Sequence, residues 1–385
     1  MRTNVDISPK ILEWVLSQVK NRTTNDVIET IQIWIKGEKP PTFNQVEKIS
    51  KATGVPLGYF FLKTPPVEDK SLIEFRTIDS VDLENPSRNL MDTIHDMGQI
   101  QDWIREYLIS EGASKLSFVG ECSSQNDSIT FAKRVREILR IDNDWYVGAK
   151  ENPFNYIRNK ISDVGVVVMM SGIVGNNTHR PLDIDEFRAF AVVDDYAPLI
   201  FINAKDSANA KLFSLLHEFS HICIGQNSLY NDRYSSNTNI KKAETLCNAV
   251  AAEVLVPHDA FLSAWDSFSV VEDCAEKIKL VAKQFNCGMT VIARKAFDSN
   301  FISYNDYIAI AQKGIELYNA AQRKQKGKGG NYYNTAASRI DQRFFYMLLG
   351  SVQSGKTLYS DAFRLTNTNR TTFASLAQKA GGDLR

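Results

Sequence analysis

Two histidines four residues apart flank a glutamate in the segment His217-Glu218-Phe219-Ser220-His221, an HExxH pattern. Residues four apart lie on one face of an α-helix, about one turn apart, so both imidazoles can bind the same zinc ion. Glu218 lies beside them and is free to accept a proton from a water that the metal activates. The spacing therefore predicts metal-assisted hydrolysis, and amide hydrolysis is the natural use of such a site.

Two other interpretations of the histidine pair are a pair of hydrogen-bonded core histidines and a structural zinc site. A structural zinc site would be expected to complete its coordination with cysteine, and it has no use for an acid that is not a ligand. Glu218 therefore favours catalysis. Zinc is the metal that a His, His and Glu set suits, although manganese or iron could occupy the same ligands.

The third metal ligand must come from a different segment, because the HExxHxxGxxH pattern is absent: positions 224 and 227 are Ile and Asn. The next predicted helix, residues 241–257, contains Glu244 and Glu253. Glu244 shares a helix face with Asn248, whose amide could orient a ligating histidine. Glu253 lies nine residues further on, nearly on the opposite side of the helix. We therefore favour Glu244 as the ligand.

Several other side chains near the motif are candidates for supporting roles. The thiols of Cys223 and Cys247 stay open as alternative ligands, although both fit apolar helix faces better. A donor to the oxyanion of the tetrahedral intermediate is expected, and the sequence does not choose among Tyr230, Tyr234, His179 and His258. An extended substrate could add to the edge of a sheet formed by residues 189–193 or 199–203.

The elements that must position these residues follow from the hydrophobic pattern. Residues 164–170, 187–193 and 199–202 predict strands, the last two joined by a hairpin turn over residues 194–198. Residues 207–225 predict a largely apolar helix, capped by Asp206 or Ser207, that carries the motif. The predicted fold class is α+β and mostly helical, with a zincin-like core in which a small antiparallel sheet covers two helices.

We divide the chain into five segments. These are a compact helical head at 1–66, a helical connector at 67–150, a zincin-like core at 151–265, a helical unit at 266–325, and a basic linker with a helical tail at 326–385. The net charge is zero, but residues 323–385 hold 11 Lys+Arg against 3 Asp+Glu, and residues 1–66 hold 9 against 6. These basic ends are typical of solvated helical faces, and a contact with nucleic acid or an acidic partner stays open.

The chain lacks an apolar run long enough for a membrane span and begins without the apolar stretch of a signal peptide. We therefore expect a cytoplasmic protein with no membrane contact, whose five cysteines stay reduced. The oligomeric state is not predicted.

Residues 187–257 resemble the ImmA/IrrE family of zinc metallopeptidases. Residues 187–191, 197–203 and 213–221 are similar to the family's strand, strand and active-site helix, in that order. The helix from Glu244 to Pro257 is similar to its third-ligand segment, with Cys247 and Val250 replacing an Ala and a Phe. By this resemblance His217, His221 and Glu244 bind zinc, Glu218 is catalytic, and Asn248 stands next to the ligand.

The resemblance extends to the flanking segments. Residues 274–303 look like the helix-turn-helix unit that follows the peptidase core, and residues 34–42 are similar to the end of a phage-repressor-like helix-turn-helix. Residues 22–33 depart from the expected turn and recognition helix, so this head is a degenerate module whose DNA binding stays open. Residues 329–365 look like the tail of long family members.

The family implies an endopeptidase that cleaves a partner protein, a transcriptional repressor, in a site-specific way. The alternative is a DNA-binding transcriptional regulator or antitoxin-like protein that uses the zincin fold as a sensor or scaffold. The complete set of His217, Glu218, His221 and Glu244 favours the peptidase, because a scaffold needs no general base.

Overall fold

Helices dominate the structure and accompany one small sheet, so the predicted α+β class is confirmed. The computed structural model describes residues 4–19, 25–66, 86–230, 238–324 and 332–379. The described residues divide into two compact units: those within 4–66, 86–98 and 172–182 form the first, and those within 99–171 and 183–379 form the second. No helix in the described ranges has both the length and the apolar character needed to cross a bilayer.

The first unit contains the helices α1 (Pro9–Val19), α2 (Asn25–Ile35) and α3 (Phe43–Thr53), followed by a 3-10 turn at Leu57–Phe61. The apolar faces of these amphipathic helices meet in one small core around Ile11, Ile31 and Phe60. The helix α4 (Arg88–Ser110) begins in this unit and continues into the second. Arg180 joins residues 172–182 to its first turns through Asp92 and Asn89.

The second unit is built around four strands: β1 (Val167–Ser171), β2 (Ala189–Val192), β3 (Leu199–Asn203) and β4 (Ser228–Tyr230). Before the sheet lie α5 (Ser128–Leu139), the single turn α6 (Trp145–Gly148) and α7 (Pro153–Asp163). The strand order is β1-β3-β2-β4. As predicted, β2 and β3 form an antiparallel hairpin, and Asp194 Oδ1 accepts hydrogen bonds from the N–H groups of Tyr196 and Ala197 in its turn.

The sheet differs from the prediction in two respects. It is mixed, because β1 pairs with β3 in parallel. The proposed substrate edges at residues 189–193 and 199–203 are also wrong, since β2 and β3 are the two inner strands. The chain turns back after the motif helix and places β4 against β2, pairing Ser228 with Ala191. Both inner strands are fully buried, as expected for strands covered on both faces.

The motif helix α8 (Ala208–Ile224) has almost the predicted bounds. Ser207 accepts a hydrogen bond from Ala210 N–H at its start, so Ser207 rather than Asp206 is its cap. Gly225 ends it with a φ of 85°. From Ser214 to Ile224 every residue of α8 is buried, because the helix packs on β2, β3, β4, α7 and the next helix, α9 (Thr238–Leu255).

Helices form the rest of the second unit. They are α10 (His258–Ser267), α11 (Cys274–Gln284), α12 (Met289–Asp298), α13 (Tyr304–Lys324), α14 (Tyr332–Arg339), α15 (Gln342–Gln353), α16 (Tyr359–Leu365) and α17 (Arg370–Lys379). A short turn that ends at Gly288 joins α11 to α12, in the segment predicted to be a helix-turn-helix unit. Parts of the predicted connector and basic linker, residues 67–85 and 325–331, lie outside the described residues.

Side chains close the outer edge of β1. Asp341 Oδ2 accepts a hydrogen bond from Val168 N–H at 3.1 Å, and Arg158 donates to Val168 O at 2.8 Å. Arg158 also donates to the backbone oxygens of Ser338 and Ile340. The unpaired backbone groups of an edge strand are therefore used here to hold the C-terminal helices against the sheet.

Candidate metal centre

Helix α8 places both histidines of the motif in the interior. His217 and Glu218 are fully buried, and His221 is 2 % exposed. Four-residue spacing puts the two rings on one face, with their centroids 4.8 Å apart. Apolar residues alternate with these polar ones and anchor the helix in the core, which fixes the direction of the imidazoles. They are Leu215, Leu216, Phe219 and Ile222.

Helix α9 brings Glu244 to the same place. It packs along α8 through its buried residues Cys247, Val250 and Ala251, and the side chain of Glu244 is 19 % exposed. The carboxylate lies 3.1 Å from His217 Nε2 and 3.2 Å from His221 Nε2. Among the described residues, these three form the one group of His, Cys, Asp and Glu side chains that could hold a metal ion.

The distances fit a tetrahedral zinc site. Ligands about 2.0–2.1 Å from zinc and separated by tetrahedral angles lie about 3.3 Å from each other. His217 Nε2 and His221 Nε2 are 3.1 Å apart; His217 Nε2 lies 3.1 Å from Glu244 Oε2, and His221 Nε2 lies 3.2 Å from Glu244 Oε1. Two buried imidazole nitrogens this close repel each other unless a proton or a cation lies between them. Three protein ligands also leave the fourth position of a tetrahedron open, as in catalytic zinc sites.

The charges of the three side chains are coupled. Burial would raise the pKa of Glu244, but the hydrogen bonds and charges of His217 and His221 outweigh it and hold this pKa well below its ordinary value. Burial opposes protonation of His221, yet the neighbouring Cys247 and Glu244 leave the pKa of His221 well above its ordinary value. Glu244 therefore carries a negative charge, and a metal ion that bound here would have to displace a proton.

Glu218 is held apart from this group of ligands. Burial raises its pKa, although the charges of His217 and His221 and a hydrogen bond from Ser228 partly oppose the shift. Ser228 Oγ donates to Glu218 Oε2, and no described residue hydrogen-bonds to Oε1. A buried carboxylate with a raised pKa and one unbonded oxygen has the properties of a general base.

Sequence reasoning did not single out Ser228. It is 1 % exposed and lies ten residues after Glu218, on the three-residue strand β4. A serine in a short strand carries no signal of a role, since the contact depends on how the chain returns to β2.

The alternative ligands, the carboxylate of Glu253 and the cysteine thiols, are not part of the group formed by His217, His221 and Glu244. Glu253 Oε2 is 2.5 Å from Lys295 Nζ, and its Oε1 accepts a hydrogen bond from His258 N–H, so this carboxylate joins α9 to α10 and α12. Burial raises the pKa of both Cys247 and Cys223, and neither thiol belongs to the group of side chains that could hold a metal ion.

The candidates for supporting roles are placed as follows. Asn248 lies one turn after Glu244, and its Oδ1 is buried and accepts no hydrogen bond from the described residues. His258 starts α10 with an exposed side chain. His179 belongs to the first unit. Tyr230 ends β4, with its side chain outside the described residues, and Tyr234 lies outside them altogether.

Comparison with known proteins gave two family matches. Residues 162–296 match the model of the Peptidase_M78 family, described as an IrrE N-terminal-like domain, and residues 340–379 match a domain of unknown function, DUF8813. No curated protein and no solved structure matched the chain. The first match contains the three candidate ligands, Glu218 and Ser228. It supports the ImmA/IrrE family for this part of the chain and suggests a metallopeptidase. The matched family consists of zinc enzymes, and the side chains of His217, His221 and Glu244 are of the types that bind zinc.

Proposed function

We propose that this protein is a zinc-dependent endopeptidase that hydrolyses a peptide bond in a partner protein, a repressor-type transcription factor. The observation that carries the proposal is the convergence of His217, His221 and Glu244 within 3.1–3.2 Å of one another, beside the buried carboxylate of Glu218. The family match over residues 162–296 supports the same activity, and the resemblance to ImmA/IrrE proteins is the basis for the repressor as partner.

The chain's own residues divide the work between binding and proton transfer. The metal would be held by His217, His221 and Glu244. The negative charge of Glu244 would compensate part of the positive charge of the metal ion. Bound zinc supplies a Lewis acid that polarises the substrate carbonyl and acidifies water. Glu218 accepts the proton of the attacking water and then delivers it to the leaving amine, because the same carboxyl serves as base and then as acid.

Metal content tests the ligand set directly. We expect about one zinc per wild-type chain by elemental analysis, and much less in His217→Ala and in Glu244→Ala, since each removes one of three protein ligands. His258→Ala is the matched control, because it removes an exposed histidine of the same unit and should keep the metal. A well-folded wild-type chain that takes up no zinc on addition of the metal would contradict the proposal.

Cleavage tests the activity. The zinc-loaded chain is incubated with a repressor encoded beside its own gene, and the products are read by mass spectrometry. We expect one discrete cut that Glu218→Gln abolishes. Salt-dependent DNA binding that is unchanged in Glu218→Gln, with no cleavage, would instead support the DNA-binding regulator.

A further inference from the structure

The hydrogen bond from Ser228 to Glu218 is the one polar contact that a described side chain makes with the candidate general base. Ser228 is 1 % exposed and Glu218 is fully buried, so water does not compete for this bond. A hydroxyl that donates to a buried carboxylate forms a charge-assisted bond, which is stronger than a bond between neutral groups. The contact therefore determines where one of the two oxygens of Glu218 lies.

Hydrogen bonds just before Ser228, and strand pairing at Ser228 itself, place this residue against the sheet. The α8 helix ends at Gly225, whose N–H bonds to His221 O and Ile222 O. Asn227 Oδ1 then accepts a hydrogen bond from Val193 N–H at 2.7 Å, and Ser228 pairs with Ala191 in the β2–β4 ladder. The hydroxyl is thus presented by a strand that is joined both to the motif helix and to the sheet.

The bond leaves the two oxygens of Glu218 in different states. Oε2 is occupied by Ser228, whereas Oε1 is buried and has no hydrogen-bond partner among the described residues. A buried acceptor without a partner is costly in a folded protein and marks a place where a ligand or a water belongs. Oε1 is the oxygen left to receive the proton.

We infer that Ser228 is a positioning residue for the general base: it holds Oε2 of Glu218 and so leaves Oε1 to accept the proton from the attacking water. This inference rests on the proposed function. The role assigned to Ser228 runs through its hydrogen bond to Glu218.

The test uses acetohydroxamate, a small zinc chelator, because its binding needs no knowledge of the natural substrate. Its N–H and O–H groups donate to a base beside the metal, so its affinity reports whether Glu218 is in place. Affinity for the zinc-loaded full-length chain is measured by calorimetry, with zinc content determined for each variant. We expect Ser228→Ala to keep its zinc and to bind the probe about tenfold more weakly.

Two variants separate positioning from a general loss of structure. Ser228→Thr keeps the hydroxyl and should restore most of the affinity. Ser162→Ala is the matched control, because Ser162 is also a buried serine that donates to a carboxylate, that of Asp341, and it should bind the probe as the wild type does. Adding Ser228→Ala to Glu218→Ala should cause no further loss of affinity, since the effect runs through Glu218.

A second readout needs no metal. In the zinc-free chain, Ser228→Ala and Glu218→Ala should shift the urea midpoint non-additively, since each removes the same hydrogen bond. Additive shifts would overturn the inference. So would a Ser228→Ala variant that binds acetohydroxamate as well as the wild type, or better, or one that loses affinity equally in the Glu218→Ala background. A wild-type chain that binds neither zinc nor the probe would overturn the proposed function itself.

Discussion

At the scale of single residues, two glutamates with the same chemistry have opposite environments. Glu244 faces two imidazoles that hold its pKa well below the ordinary value, whereas burial raises the pKa of Glu218. Carboxylates whose environments shift their pKa values apart take different roles. Glu244 is suited to bind a cation, and Glu218 is suited to take up a proton.

This division predicts the phenotype of Glu218→Gln. The amide keeps the shape of the side chain and can still bond to Ser228, but it cannot accept a proton. We expect the variant to bind about as much zinc as the wild type and to lose about 100-fold or more in kcat/KM for the proposed repressor substrate.

Glu244→Gln is the comparison at the ligand position. It should lose affinity for the metal, and raising the zinc concentration should restore part of its activity. If Glu218→Gln were to lose its metal while Glu244→Gln kept it, the two roles would be reversed.

At the scale of elements, the site depends on how the motif helix is joined to β4. Gly225 has a φ of 85°, and a Cβ atom there would lie 3.0 Å from the Cα atom of Gly120. The chain can reverse in so little space only with glycine. The strand that follows this turn, β4, pairs with the edge of β2 and brings Ser228 to Glu218.

We therefore expect Gly225→Ala to lower the free energy of unfolding by about 1–2 kcal/mol or more, from the left-handed backbone and the contact with Gly120. Urea unfolding measures this change. Gly350→Ala is the control, since Gly350 lies within the exposed face of α15 with open space around it, and alanine there should be neutral or stabilising. Equal effects of both substitutions would show that the turn does not require glycine.

At the scale of the whole molecule, the C-terminal helices of the second unit pack against the outer edge of its sheet. Asp341 is 1 % exposed and accepts hydrogen bonds from Ser162 Oγ, Val168 N–H and Phe344 N–H. One carboxylate thus caps α15, satisfies the outer edge of β1 and bonds to α7. The segment matched by DUF8813 is in this way part of the same unit as the metal centre.

Asp341→Ala should lower the free energy of unfolding by about 2–4 kcal/mol, because it removes a helix cap and leaves a buried backbone N–H without a partner. Urea unfolding followed by circular dichroism would measure the loss. Asp361→Ala provides the control: Asp361 is a half-exposed acid in the first turn of α16, and its removal should cost less than about 1 kcal/mol. A loss no larger than that of Asp361→Ala would show that Asp341 does not hold this segment in place.

The sequence by itself determined the local features. The spacing of His217 and His221, the cap and end of α8, and the Asp194 turn between β2 and β3 all depend on residues a few positions apart, so short-range geometry is enough to predict them. The choice of Glu244 as the favoured carboxylate could also be made from the sequence, because helix periodicity places Glu244 and Glu253 on nearly opposite sides of the helix. Only the tertiary structure decided which strands lie at the edge of the sheet, that Ser228 bonds to Glu218, and that Asp341 closes β1. Each of these depends on contacts between segments whose relative placement is decided by the packing of the whole core, which no local pattern encodes.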